Sequence, residues 1–221
     1  YLGSWLGGLA LFLPGTYWIS YCVPWAWVGW LALAAYLACY FPAFVFVSRV
    51  CHRRWQLPTF LVIPIVWVTL EYVRMYALTG FGWLMLAHSL YEWTTIIQVA
   101  DIAGVYGVSF LVALVNACVV DLLTLPIFAQ GRLNASQMWR LAITTAALLL
   151  SVGHGLYHQS RANFRPGPTV VVLQTNVPQD IRNFEADKSH QSVMNLIKQT
   201  KEVKGDLIIW PETRSEEHTS E

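Results

Sequence analysis

Charge is spread so unevenly along this chain that it fixes which solvent each part can fold in. Residues 1–160 contain no Lys and only ten charged side chains: Arg49, Arg53, Arg54, Glu71, Arg74, Glu92, Asp101, Asp121, Arg132 and Arg140. The other seventeen of the 27 charges fall within residues 161–221. Soluble domains are roughly a quarter charged, whereas this chain is 12% charged and 56% hydrophobic. Residues 1–160 therefore read as a membrane domain and the remainder as a water-facing one. No basic patch with interleaved aromatics accompanies the net charge of +1, which disfavours a nucleic-acid partner.

Crossing about 30 Å of hydrocarbon takes about 20 helical residues. Five stretches qualify or come close: 2–21, 25–48, 58–78, 102–125 and 138–158. Pro24 and Pro58 fall at helix starts, where a missing N–H costs little, while Pro14 and Pro42 predict kinks. Trp5, Trp18, Tyr21, Trp25, Trp55, Trp83 and Trp93 lie near span ends, where an aromatic belt would place them. Arg49, Arg53 and Arg54 follow the second span, and Arg132 and Arg140 lie near the start of the fifth. The connections near 22–24 and 79–101 carry neither Lys nor Arg. The positive-inside rule puts the Arg-bearing loops in the cytoplasm and everything after about residue 160 outside it.

Cys22, Cys39, Cys51 and Cys118 lie in or beside apolar segments without CxxC spacing, and read as buried packing thiols. Glu71 and Arg74 are three apart on one helix face. They are expected to pair, with Arg74 snorkelling outward; a functional intramembrane pair is the alternative. Asn116 reads as an interhelical hydrogen-bonding residue. His154 and His158 share a helix face, but the sequence shows no third ligand beside them, so no metal site is expected. The connection from Thr79 to Asp101 is long and aromatic, and is expected to form a re-entrant or interfacial structure suited to a lipid substrate.

In the water-facing part, Thr169-Val-Val-Val-Leu173 and Asp206–Trp210 read as buried strands. Between them, residues 187–203 carry Val193, Ile197 and Val203 at helical spacing, with Lys188, Lys198, Lys201 and Lys204 as a solvated face. Strand, helix, strand makes a βαβ unit with parallel strands. Gln174 and Asn176 then leave the first strand at the sheet edge where Glu212 leaves the second, and ligands of open α/β sheets bind at that edge. The residues alone also leave open a surface Glu in a turn.

Several segments resemble the bacterial apolipoprotein N-acyltransferase family. They are Leu70-Glu-Tyr-Val-Arg74, Thr79-Gly-Phe-Gly-Trp83, the run from Gly104 to Asn116, Gln174-Thr-Asn-Val-Pro-Gln179 and Leu207-Ile-Ile-Trp-Pro-Glu-Thr213. The resemblance implies a polytopic α-helical membrane domain followed by the start of an α/β nitrilase-type domain, an α-β-β-α sandwich. On that pattern residues 1–160 are the transmembrane domain and 161–213 the N-terminal βαβ portion of the nitrilase-like domain. It implies residence in the bacterial inner membrane with the soluble domain extracytoplasmic. It further implies a Glu–Lys–Cys set in which Glu212 is the general base, with Gln174 and Asn176 as substrate-site neighbours. The implied reaction moves an acyl chain from a membrane phospholipid, through a Cys thioester, to the terminal amine of a diacylglyceryl apolipoprotein, with no cofactor.

The chain departs from the family in places. Arg182-Asn183-Phe184 stands where the family often has Lys-Trp, and no position here matches the family's Lys or Cys. These residues are expected to be a piece of a longer protein, inactive by themselves. Arg214-Ser-Glu-Glu-His-Thr-Ser-Glu221 corresponds to AGA TCG GAA GAG CAC ACG TCT GAA, the opening of a widely used sequencing adapter. Residues 214–221 are therefore expected to be a sequencing artefact. Two other classes stay open: a membrane-tethered nitrilase-type amidase, and a non-enzymatic transporter or membrane scaffold.

Overall fold

A computed structural model describes residues 1–22, 25–123, 134–162, 165–174 and 186–211. Asn176, Glu212 and the adapter-like residues 214–221 lie outside the described residues. The chain divides into two compact units: Tyr1–Tyr17 with Trp30–Ala162, and Trp18–Gly29 with Asn163–Glu221. The helices in chain order are α1 (Leu2–Gly15), α2 (Ala26–Ala38), α3 (Tyr40–Trp55), α4 (Thr59–Tyr76), α5 (Thr94–Ile97), α6 (Ala100–Leu123) and α7 (Ala135–Arg161). Strand β1 (Val170–Val172), helix α8 (Ala186–Glu202) and strand β2 (Leu207–Ile209) follow.

Among the described residues four segments are long and apolar enough to cross a membrane: Ala26–Trp55, Thr59–Tyr76, Ala100–Leu123 and Ala135–Arg161. The first expected span is different. Its helix stops at Gly15 after 14 residues, about 21 Å at 1.5 Å per residue, and a 3-10 segment Tyr17–Tyr21 follows. The Thr16 hydroxyl and amide both turn back to the Phe12 carbonyl and close the helix there. Pro42 also acts as expected. It cannot donate to the Ala38 carbonyl, and α2 gives way to α3 at Cys39, whose amide bonds Tyr36 instead. Pro58 caps the start of α4.

The membrane unit is centred on α4 and α6. Phe60, Leu114, Ala117 and Cys118 form a buried cluster, with Ile63, Phe110, Leu122 and Ala147 against it. Edge-on aromatic pairs join α1, α3 and α4: Phe12–Phe41 at 6.3 Å, Phe41–Trp67 at 5.4 Å and Phe44–Trp67 at 5.2 Å. An Asp121–Arg140 ion pair at 2.6 Å joins α6 to α7. Asn134 and Gln137 form a reciprocal capping box at the start of α7. Of the four thiols only Cys118 is buried; Cys22 and Cys51 are half-buried and Cys39 is exposed. On lipid-bathed helices an apolar residue need not face inward, so hydrophobic context alone overstated their burial.

In the second unit β1 and β2 pair in parallel, with Val170 opposite Leu207, Val171 opposite Ile208 and Val172 opposite Ile209. The strands were expected to be buried, yet both alternate exposed, half-buried, exposed. Burial is concentrated at Leu173 and at Leu196 of α8. Lys198, Lys201 and Lys204 are exposed.

Candidate functional site

The site was expected at the C-terminal edge of the parallel pair. Because β1 and β2 run in the same direction, the chain leaves both strands at one edge, Gln174 after β1 and Trp210-Pro211 after β2. Gln174 is described and exposed; Asn176 and Glu212 are outside the described residues. Local contacts fix the strand that leads to Glu212. The Asp206 carboxylate accepts from the Thr169 amide at 2.7 Å, and the Asp206 and Leu207 amides donate to the Thr169 carbonyl. At the other end the Leu173 amide donates to the Ile209 carbonyl at 3.0 Å. The Trp210 indole N–H donates to the Thr200 hydroxyl of α8 at 3.0 Å. The Trp of the Trp-Pro-Glu motif is thus held against its own crossover helix.

A second polar arrangement lies inside the membrane unit. Glu71 and Arg74 are 3% and 4% exposed, and they form no ion pair with each other. The Glu71 Oε1 atom accepts from the Trp67 indole at 2.9 Å and from the Leu86 amide at 2.8 Å. Arg74 Nη2 donates to the Leu84 carbonyl at 3.2 Å, and its guanidinium lies 5.4 Å from the Phe12 ring centroid. The Ser109 hydroxyl of α6 accepts from the Ala87 amide at 3.1 Å. The expectation of a mutual pair with an outward-snorkelling Arg is therefore corrected. Both charges point inward and hold the backbone that follows α4.

The reason is physical. Residues 77–93 form 3-10 turns at Ala77–Thr79 and Leu86–Leu90, with left-handed backbone at Leu78 and Leu84. Such a segment leaves amides and carbonyls without helical partners, and in lipid an unpaired backbone group is costly. Glu71, Arg74 and Ser109 supply those partners to Leu86, Leu84 and Ala87. Phe81, Met85 and Ala87 are buried on the inner side while Trp83, Tyr91 and Trp93 are exposed. Asn116 does not reach across to another helix. Its amide donates to the Val112 carbonyl of its own helix at 2.8 Å, which corrects the interhelical expectation.

Among the described residues, a group able to hold a metal also differs from the sequence expectation. Asp101 of α6 joins His154 and His158 of α7, with one donor atom from each inside 4.8 Å. Sequence distance hid this third ligand. Ser109 was equally hidden, since a hydroxyl within an apolar span gives no local signal.

Four helices able to span a bilayer, with an irregular segment fastened to them by buried polar side chains, define a multi-pass membrane protein. The chain belongs to the apolipoprotein N-acyltransferase family, whose N-terminal domain matches residues 1–118. It is 29% identical over 223 residues to the apolipoprotein N-acyltransferase of Rhodopirellula baltica, covering 93% of this chain and 39% of that protein. The Geobacter metallireducens enzyme of the same name is 32% identical over 224 residues, covering 93% of this chain and 41% of that protein. The Pasteurella multocida one is 27% identical over 225 residues, covering 95% and 41%. The chain thus spans about two fifths of the length of these curated relatives.

Proposed function

We propose that the protein to which these residues belong transfers a fatty acyl chain from a membrane phospholipid to the terminal amine of a diacylglyceryl apolipoprotein. Glu212 is the general base and Gln174 and Asn176 flank the substrate. The βαβ unit begins a nitrilase-type domain that supplies the remaining Lys and Cys of a Glu–Lys–Cys set. The carboxylate takes the thiol proton, the thiolate attacks the phospholipid ester carbonyl, and the lysophospholipid alkoxide leaves with that proton. The acceptor amine then attacks the thioester, Glu212 takes the ammonium proton, and the thiolate is released. A cation or N–H donor at the oxyanion stabilises both tetrahedral intermediates. The 221 residues alone are proposed to be inactive, because no position in them matches the family's Lys or Cys.

The observation that best supports this function is the parallel pairing of β1 and β2 in a chain of this family. It directs Gln174 and Trp210-Pro211, the residues that precede Glu212 in the sequence, to one edge. Orientation follows the Arg bias: from the Arg49–Arg54 end, three spans lead to Arg161, so the second unit is proposed to be extracytoplasmic on the inner membrane. The test is a purified full-length protein given phospholipid and a synthetic diacylated lipopeptide. A triacylated peptide is expected by mass spectrometry. Release of free fatty acid with no acylated peptide would overturn the transferase assignment.

A further inference from the structure

We propose that Asp101, His154 and His158 bind one divalent transition-metal ion at the end of α7, with zinc as the probe. The Asp101 Oδ2 atom lies 3.6 Å from His158 Nδ1, and the two imidazole ring centroids are 4.3 Å apart. The second observation is at His154, whose Nε2 is buried without a hydrogen-bond partner among the described residues. A buried imidazole nitrogen without a partner is costly in an apolar setting. Metal–nitrogen and metal–oxygen bonds of about 2.0–2.2 Å put neighbouring donors of a tetrahedral site about 3.3 Å apart. The Asp101–His158 separation is already close to that, and small side-chain rotations bring the third donor in.

The surrounding backbone favours this set. Gly104 breaks α6 with φ 61 and ψ −163, a region essentially confined to glycine, and this redirects the short segment that bears Asp101. Gly155 lies between the two histidines in sequence and meets the Thr95 carbonyl so closely that no Cβ fits. Gln159 bridges the Thr94 and Thr95 hydroxyls at 3.3 and 3.1 Å. Helix α5 therefore clamps the turn of α7 that presents both imidazoles. Asp101 and His158 are exposed and His154 is half-buried, so the three donors are not sealed inside the helical unit. Two neutral imidazoles and one carboxylate suit a borderline ion such as zinc, and leave a fourth position for a water or an anionic oxygen.

The test uses tag-free protein in detergent, stripped by chelator and then equilibrated with zinc or cobalt(II). One zinc per chain is expected, with a rise in unfolding temperature. Cobalt(II) should give visible d–d absorption that a zinc excess abolishes. His154→Gln, His158→Gln and Asp101→Asn should each weaken uptake by at least tenfold. Stripped wild-type protein that takes up no metal would overturn the proposal without recourse to any variant. So would cobalt bands that persist unchanged in a folded His154→Gln, His158→Gln double variant.

Discussion

In the helical unit the charged Glu71 and Arg74 are 3% and 4% exposed, whereas in the strand unit the apolar Val172 and Leu207 are 69% and 51% exposed. The two units invert the usual inside and outside for different reasons. Lipid accepts Leu149 and Leu150 on the surface of α7, at 67% and 73% exposure, and drives polar groups inward to find partners. A parallel strand pair proposed to face water would have no such solvent for its apolar face, and parallel sheets are stable when both faces are covered. The helical unit packs around α4 and α6. In the proposed nitrilase-type domain a further layer would cover the exposed Val170, Val172 and Leu207.

The sharpest way to break this comparison is at Glu71. Glu71→Ala leaves the Leu86 amide and the Trp67 indole N–H without their acceptor, and should cost about 1–3 kcal/mol for each, read as loss of monodisperse, thermally cooperative protein in detergent. If the two charges were merely an ion pair, Glu71→Leu with Arg74→Leu would restore stability. Because each one holds loop backbone, the double variant should stay about 1–3 kcal/mol below wild type for each orphaned group. A fully restored melting temperature would remove the clamp from this description. Next in size is Gly155→Ala, whose methyl meets the Thr95 carbonyl. Overpacking of this kind should cost about 1–3 kcal/mol and open α5 from α7, seen as faster hydrogen exchange across 94–97. The smallest effect is expected at Ser109→Ala, about 1 kcal/mol or somewhat more, with exchange increased at Ala87 and unchanged in the body of α6.

Much of this could be read from residues alone. The span expected at 58–78 appears as Thr59–Tyr76 because Pro58 sets its start and apolar length sets its run. Val170–Val172 and Leu207–Ile209 were legible because β-branched residues bounded by Gly and Pro seldom form anything else. Other features were not legible, for reasons that can be named. The stop at Gly15 depends on Thr16 turning its hydroxyl back on Phe12. Glu71 and Arg74 suggested each other by spacing, while their partners came from Leu84 and Leu86 on a segment with no periodicity. Asp101 and His158 lie far apart in the sequence and meet at 3.6 Å only in the fold. Local pattern placed the elements, and long-range polar contacts required the fold.

The division of labour between the two units is tested most directly by Glu212→Gln in the full-length protein, assayed for single-turnover acyl transfer to a diacylated lipopeptide alongside its melting temperature. The expected result is a transfer rate lowered by at least about 100-fold, the scale of a lost general base, with thioester formation lost and the melting temperature unchanged. A Glu212→Gln protein that transfers acyl chains at the wild-type rate would contradict the proposed assignment of the chemistry to Glu212.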